Sequence, residues 1–118
     1  MFAAHYKLDN LCMILDWNGL QIDGPITEVM NPTPYYEKLT AFGWHVISID
    51  AHNFSEIEAA LNEAKTVKGK PTAIIAKSVK GKGVSYMENA CEWHGQAPKE
   101  DLYKVAIADL EAIAETLK

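Results

Sequence analysis

Leu11-Cys12-Met13-Ile14-Leu15, running directly into Asp16-Trp17-Asn18-Gly19-Leu20-Gln21-Ile22-Asp23-Gly24, decides how this chain is read. The apolar run predicts a buried strand over residues 11–16. A polar turn at the end of such a strand is where α/β proteins place ligands. Asn18 offers a neutral amide oxygen there, and Gly19 lets the backbone turn back toward a ligand.

Two further strands follow. Asn31-Pro32-Thr33-Pro34 predicts the opening of a helix over 33–42, ended by Gly43 as a C-cap. His45 to Asp50 forms the second strand, rich in the β-branched residues of a sheet interior. Ser55-Glu56-Ile57-Glu58 has the form of a capping box, and Ile57, Ala60, Leu61 and Ala64 recur at helical spacing as far as Val67. Lys68-Gly69-Lys70-Pro71 breaks that helix, and Thr72 to Lys77 forms a third, almost wholly apolar strand. A long polar segment covers 78–98. A last helix over 99–117 places Leu102, Val105, Ala106, Ile113 and Leu117 near one face.

Alternating strands and helices with apolar strands imply an α/β fold whose parallel sheet is covered on both faces. Three strands make a small sheet, and residues 1–10 look like the tail of a helix running into the first strand. The expectation is one incomplete domain over residues 1–118, with no internal repeat and no linker. An exposed edge of an apolar parallel sheet also predicts that the chain alone is marginal or is protected by self-association.

A hydrophobic content of 48% allows a real core, and a net charge of −5 argues against nucleic acid as a partner. Cys12 and Cys91 lie too far apart in sequence for a metal or redox spacing, and Cys12 reads as a buried free thiol. No segment approaches the ~20 apolar residues of a membrane span, and no signal peptide is evident. A soluble, cytoplasmic setting is expected.

By residue type alone, Asn18-Gly19 is a turn, Ile22 is core, Lys77, Lys80 and Lys82 are a solvated patch, and His94 is a surface histidine. Lys80-Gly81-Lys82-Gly83 lacks the form of a Walker motif, which sets a P-loop nucleotide site aside. Four segments in order change that reading: Asp16 to Gly24, Ala41-Phe42-Gly43-Trp44-His45-Val46, Ile74 to Gly83, and Trp93-His94-Gly95. Together they resemble the transketolases, specifically the separately encoded N-terminal half, over nearly the whole chain.

The resemblance implies a three-layer α/β/α fold that binds thiamine diphosphate and Mg2+ across a subunit interface. Asn18 matches the asparagine that ends the family's metal motif, and Leu20 matches the residue whose backbone carbonyl also binds the metal. Magnesium's preference for hard oxygen ligands shared with phosphate fits both. The motif's first half, Gly-Asp-Gly, occurs nowhere in the chain, and is expected upstream in a complete protein. Ile22 falls where the family packs an apolar side chain against the thiazolium ring. Lys80 matches a lysine near the cofactor, a sensible phosphate partner beside glycines that permit close backbone approach. His94 matches a histidine that reaches the diphosphate and the reacting centre, where an imidazole can donate or shuttle a proton. Asp16 and Asp23 flank the metal turn and read as turn-stabilising acceptors.

The implied reaction moves a two-carbon ketol unit from a ketose phosphate to an aldose phosphate. The implied partners are the C-terminal transketolase half, which carries the activating glutamate, and further copies of the chain; alone, the chain is expected to be inactive. A non-catalytic module lacking a complete cofactor site, and a thiamine enzyme of the deoxyxylulose-phosphate synthase type, are the competing readings.

Overall fold

The computed structural model describes residues 1–117. In chain order the elements are α1 (Phe2–His5), β1 (Cys12–Trp17), β2 (Leu20–Gln21), β3 (Gly24–Pro25), α2 (Ile26–Val29), α3 (Tyr35–Ala41), β4 (His45–Asp50), α4 (Phe54–Thr66), β5 (Thr72–Lys77), a 3-10 turn (Cys91–His94) and α5 (Glu100–Thr116). They form two compact units, Met1–Trp17 with Asn31–Ser78, and Asn18–Met30 with Val79–Lys118.

The first unit is the sheet. β5 lies at its centre and pairs in parallel with β1 on one side and β4 on the other, so that Ile14, Ile74 and Ile47 lie in one row and Trp17, Lys77 and Asp50 in another. β5 is buried from Thr72 to Ala76, as its continuous apolar sequence predicts for a strand covered on both faces. Side chains alternate between faces along a strand, so His45 and Asp50 point to opposite sides. Glu63 of α4 pairs with His45 at 2.6 Å, while Tyr35 of α3 packs edge-on against Trp17, which shares the face of Asp50. α3 and α4 therefore cover opposite faces, and the unit is a three-layer α/β/α arrangement.

Coverage stops short at β1. Cys12, Ile14 and Asp16 are exposed, and Met13, Leu15 and Trp17 are half-buried. Ile14 is 61% exposed on the α4 side, where a groove of about 370 Å³ lies among Ile14, Ile49, Ile57, Leu61, Ile74 and Ala76. The expected two-sided burial of the first strand is thus corrected, and with it the buried thiol: Cys12 is free and exposed, because it shares the uncovered face of an edge strand. Asp16 accepts a hydrogen bond from the Ser78 hydroxyl at the neighbouring strand end and does not stabilise the turn that follows it.

Two helix starts differ from expectation. α3 begins at Tyr35, not at residue 33, because a residue before proline is pushed out of the helical region and Thr33 precedes Pro34, the observed N-cap. α4 is capped by Asn53, whose side chain accepts from the Ser55 and Glu56 N–H groups at 3.1 and 3.3 Å. Glu56 sits three residues after this cap, accepts from the Asn53 amide and also takes the Asp50 N–H. The cap is therefore Asn53 with Glu56, two residues ahead of Ser55 with Glu58. Asn is among the strongest N-cap residues, and Glu56 here ties the helix to the end of β4.

The second unit holds the hairpin β2–β3, α2 and the long segment after residue 78, closed by α5. Ala106 and Val84 are its buried apolar residues, while Leu102, Val105 and Ile113 of the expected apolar face of α5 remain between 37% and 44% exposed. No helix among the described residues is long and apolar enough to cross a membrane.

Candidate cofactor cleft

A cleft of about 280 Å³ in the second unit is lined by Asn18, Leu20, Gln21, Ile22, Asp23, Lys80 and His94. The five residues that the resemblance puts at the cofactor, Asn18, Leu20, Ile22, Lys80 and His94, are on that wall. The structure brings together one turn and two points of a loop that lie far apart in sequence.

The turn is built by its own side chain. Asn18 Oδ1 accepts the Leu20 N–H at 2.9 Å, and Gly19, at φ +77°, supplies the left-handed step between them. The Ile26 N–H donates to the Gly19 carbonyl at 3.0 Å, which closes one side of the Leu20–Pro25 pair. Leu20 is therefore a non-hydrogen-bonded position of the ladder, and its N–H and C=O point away from β3. Its carbonyl and the Asn18 amide oxygen are left on the same side, which suits two neutral oxygen donors sharing one hard cation.

Ile22 and Asp23 form the two-residue reversal between Gln21 and Gly24. Ile22 is 65% exposed on the cleft rim, which excludes it as a core residue. Gln21 and Asp23 also line the cleft; Asp23 reads in the sequence only as a turn acceptor, and Gln21 was missed, with Asp23-Gly24, a hairpin-turn dipeptide, as the available signal.

Lys80 is held by a loop that folds on itself. The Asn89 N–H donates to the Lys80 carbonyl at 2.9 Å, and the Val84 N–H to the Gly81 carbonyl at 3.1 Å. Glu88 accepts the Gly83 N–H at 3.0 Å and lies 3.4 Å from the Lys82 ammonium. The packing of this loop itself requires the glycines. A Cβ on Gly81 would stand 2.4 Å from the Met87 carbonyl oxygen, and one on Gly83 would stand 3.2 Å from Leu110 Cδ2.

His94 ends the 3-10 turn and is exposed at the cleft. Its neighbour Trp93 turns inward against Tyr86, with ring centroids 5.0 Å apart, and the Tyr86 hydroxyl donates to the Leu102 carbonyl at 2.9 Å. Trp93 thus anchors the turn while His94 faces outward.

Asp109 of α5 fixes the loop between these two points, accepting from the Ser85 hydroxyl and N–H at 2.7 and 2.8 Å. These donors, the hydroxyl first, hold its carboxyl below the ordinary carboxylate range. A lowered native pKa means that the stabilisation is complete above the unfolded-state value and is lost as pH falls through the lowered one. The loop is therefore expected to stay attached at neutral pH and to loosen in acid, below about pH 4. Near-ultraviolet circular dichroism of Tyr86 and Trp93 against pH checks this, and a signal that changes instead between neutral pH and the carboxylate range would contradict it.

Among the described residues no group of three or more His, Cys, Asp or Glu side chains is arranged to hold a metal ion. The donor set nevertheless fits a metal-bound diphosphate. It offers neutral oxygens for a hard cation, a lysine and a histidine for phosphate oxygens, and an exposed apolar side chain for a ring.

Residues 1–110 match the family described as transketolase, thiamine diphosphate binding domain. The 6-deoxy-6-sulfo-D-fructose transketolase subunit of Clostridium sp. (strain MSTE9) is 43% identical over 111 residues, 94% of this chain and 40% of that protein. An apulose-4-phosphate transketolase subunit of Phocaeicola vulgatus is 36% identical over 118 residues, all of this chain and 42% of that protein. The chain thus spans about two-fifths of the length of these relatives. The crystal structure of transketolase from Campylobacter jejuni superposes with a TM-score of 0.86 at 34% identity, covering 93% of this chain and 17% of that one. Matched over most of its length in sequence and in fold, the chain belongs to the family of transketolase thiamine diphosphate-binding domains.

Proposed function

We propose that the chain forms one wall of a thiamine diphosphate and Mg2+ site in a transketolase that moves a two-carbon ketol unit from a ketose phosphate to an aldose phosphate. The observation that carries the proposal is the single cleft shared by Asn18, Leu20, Ile22, Lys80 and His94. When bound, thiamine diphosphate supplies the nucleophile and electron sink that this transfer needs. Asn18 Oδ1 and the Leu20 carbonyl are the metal donors, and Lys80 neutralises diphosphate charge. Ile22 gives the ring an apolar surface. His94, on the rim, donates to phosphate and is placed to hold or pass a proton at the reacting centre.

The two metal donors carry no formal charge, so the chain alone binds the metal weakly, and a carboxylate from elsewhere in the assembly strengthens the site. The C-terminal transketolase half is the partner that supplies the activating glutamate, and further copies of the chain complete the oligomer. The isolated chain is accordingly inactive in ketol transfer. The relatives are named for different ketoses, so the substrate class goes no further than sugar phosphates and comparable anionic ketoses.

Titrating the isotope-labelled chain with thiamine diphosphate and magnesium, followed by NMR, tests the reading. The expected result is a set of shifts at Asn18, Leu20, Ile22, Lys80 and His94, with Lys80→Ala and His94→Ala each weakening binding about tenfold. Shifts confined to the groove around Ile14 and Ile74 would overturn it.

A further inference from the structure

We infer that Ser85 and Asp109 form a positioning pair for the two basic side chains of the cleft, Lys80 and His94. The inference takes its ligand from the function proposed above, but its geometry stands apart from it.

Lys80 and His94 lie on one excursion of the chain, residues 79–94, that contains no strand. Bonds from the Asn89 N–H to the Lys80 carbonyl, from the Val84 N–H to the Gly81 carbonyl and from the Gly83 N–H to Glu88 close the loop on itself, and its place against the rest of the unit is set by contacts from outside. α5, a 17-residue helix, provides that support at two places. Toward its N-terminus the Leu102 carbonyl accepts from Tyr86, whose ring packs on Trp93 beside His94. Two turns later Asp109 takes both donors of Ser85 on a single carboxylate oxygen, at 2.8 and 2.7 Å across 24 residues of sequence. Leu110 and Ile113 fill the space over Gly83 on the same helix, and Val84, between Gly83 and Ser85, is buried. The Ser85 attachment therefore pins the arm that leads back through Gly83 and Gly81 to Lys80. Asp109 does not line the cleft, so any effect it has on a ligand must pass through the loop. A carboxylate accepting two hydrogen bonds is a stronger tether than the neutral Tyr86 contact, and it is the one whose loss frees Lys80.

The test uses the 118-residue chain with Ser85→Ala, Asp109→Ala and the conservative Ser85→Thr. Amide hydrogen exchange and the ring resonances of His94 are followed by NMR, with magnesium pyrophosphate as the probe. In Ser85→Ala and Asp109→Ala, exchange over residues 80–89 is expected to quicken about tenfold while β5 is unchanged. The His94 resonances are expected to move toward those of an unstructured chain, and pyrophosphate to bind about tenfold more weakly. Ser85→Thr keeps the hydroxyl and restores all three. If Asp109→Ala does not fold, Ser85→Ala carries the test. Unchanged loop exchange and His94 resonances overturn the inference, as does acceleration that spreads equally through β5, which marks a merely structural role. If loop and ring respond as expected while pyrophosphate fails to bind even the wild type, the pair positions these side chains and it is the functional reading that fails.

Discussion

Gly81→Ala is expected to destabilise the chain by about 3 kcal/mol and to abolish the cleft with it. Two costs add at this position. The backbone sits at φ +73°, a left-handed conformation that an L side chain adopts only at a penalty. The new Cβ would also stand 2.4 Å from the Met87 carbonyl oxygen and 2.6 Å from its carbon. Those are backbone atoms, so no rotamer change relieves the clash. Met87 is itself tied in by N–H donation to the Val84 carbonyl at 2.9 Å, so moving it opens the loop. Because Gly81 follows Lys80 directly, the loop cannot relax without carrying the ammonium away from the cleft. Urea denaturation and the NMR titration together check this; a variant as stable as the wild type that binds equally well would show that the loop geometry is wrong. Gly95 is the control, since a Cβ there meets nothing within 4 Å.

Ile74→Ala is expected to cost about 3 kcal/mol as well, for a different reason. Ile74 is 1% exposed at the centre of the sheet, and truncation removes buried apolar atoms and leaves a void. Its register partner Ile14, on the same face of the adjacent strand, is 61% exposed. Ile14→Ala in the isolated chain should therefore change stability by no more than about 0.5 kcal/mol. Equal losses for the two substitutions, by thermal or urea unfolding, would mean that the β1 face is covered in solution.

These two positions also mark what sequence could and could not reveal. β4 and β5 were legible, because their apolar runs follow Gly43 and Gly69-Lys70-Pro71 and centre on β-branched valine and isoleucine. β1 has the same kind of sequence, and an apolar run cannot say whether one face or both will be covered; the exposure of Cys12 and Ile14 became visible only in the assembled sheet. The cap of α4 was ambiguous for a related reason. Asn53 with Glu56 and Ser55 with Glu58 are both sound local solutions, and the choice between them shows in the hydrogen bond from the Asp50 N–H to Glu56, which belongs to the fold rather than to the helix. Five of the seven residues lining the cleft are reached through family resemblance, whereas residue type alone makes them a turn, a core residue, a solvated lysine and a surface histidine. Their meeting depends on α5 holding the loop after residue 78 through Ser85, Gly83 and Tyr86, contacts across more than fifteen residues that no local pattern encodes.

In the proposed function, Asn18 and Leu20 bring a metal-bound diphosphate to this cleft. The most direct test is calorimetric titration of thiamine diphosphate into the chain, with and without magnesium, for the wild type and for Asn18→Ala. The expected result is weak binding that requires magnesium and disappears in Asn18→Ala. Binding indifferent to magnesium or to Asn18, or no binding by the wild type at any accessible concentration, would contradict it.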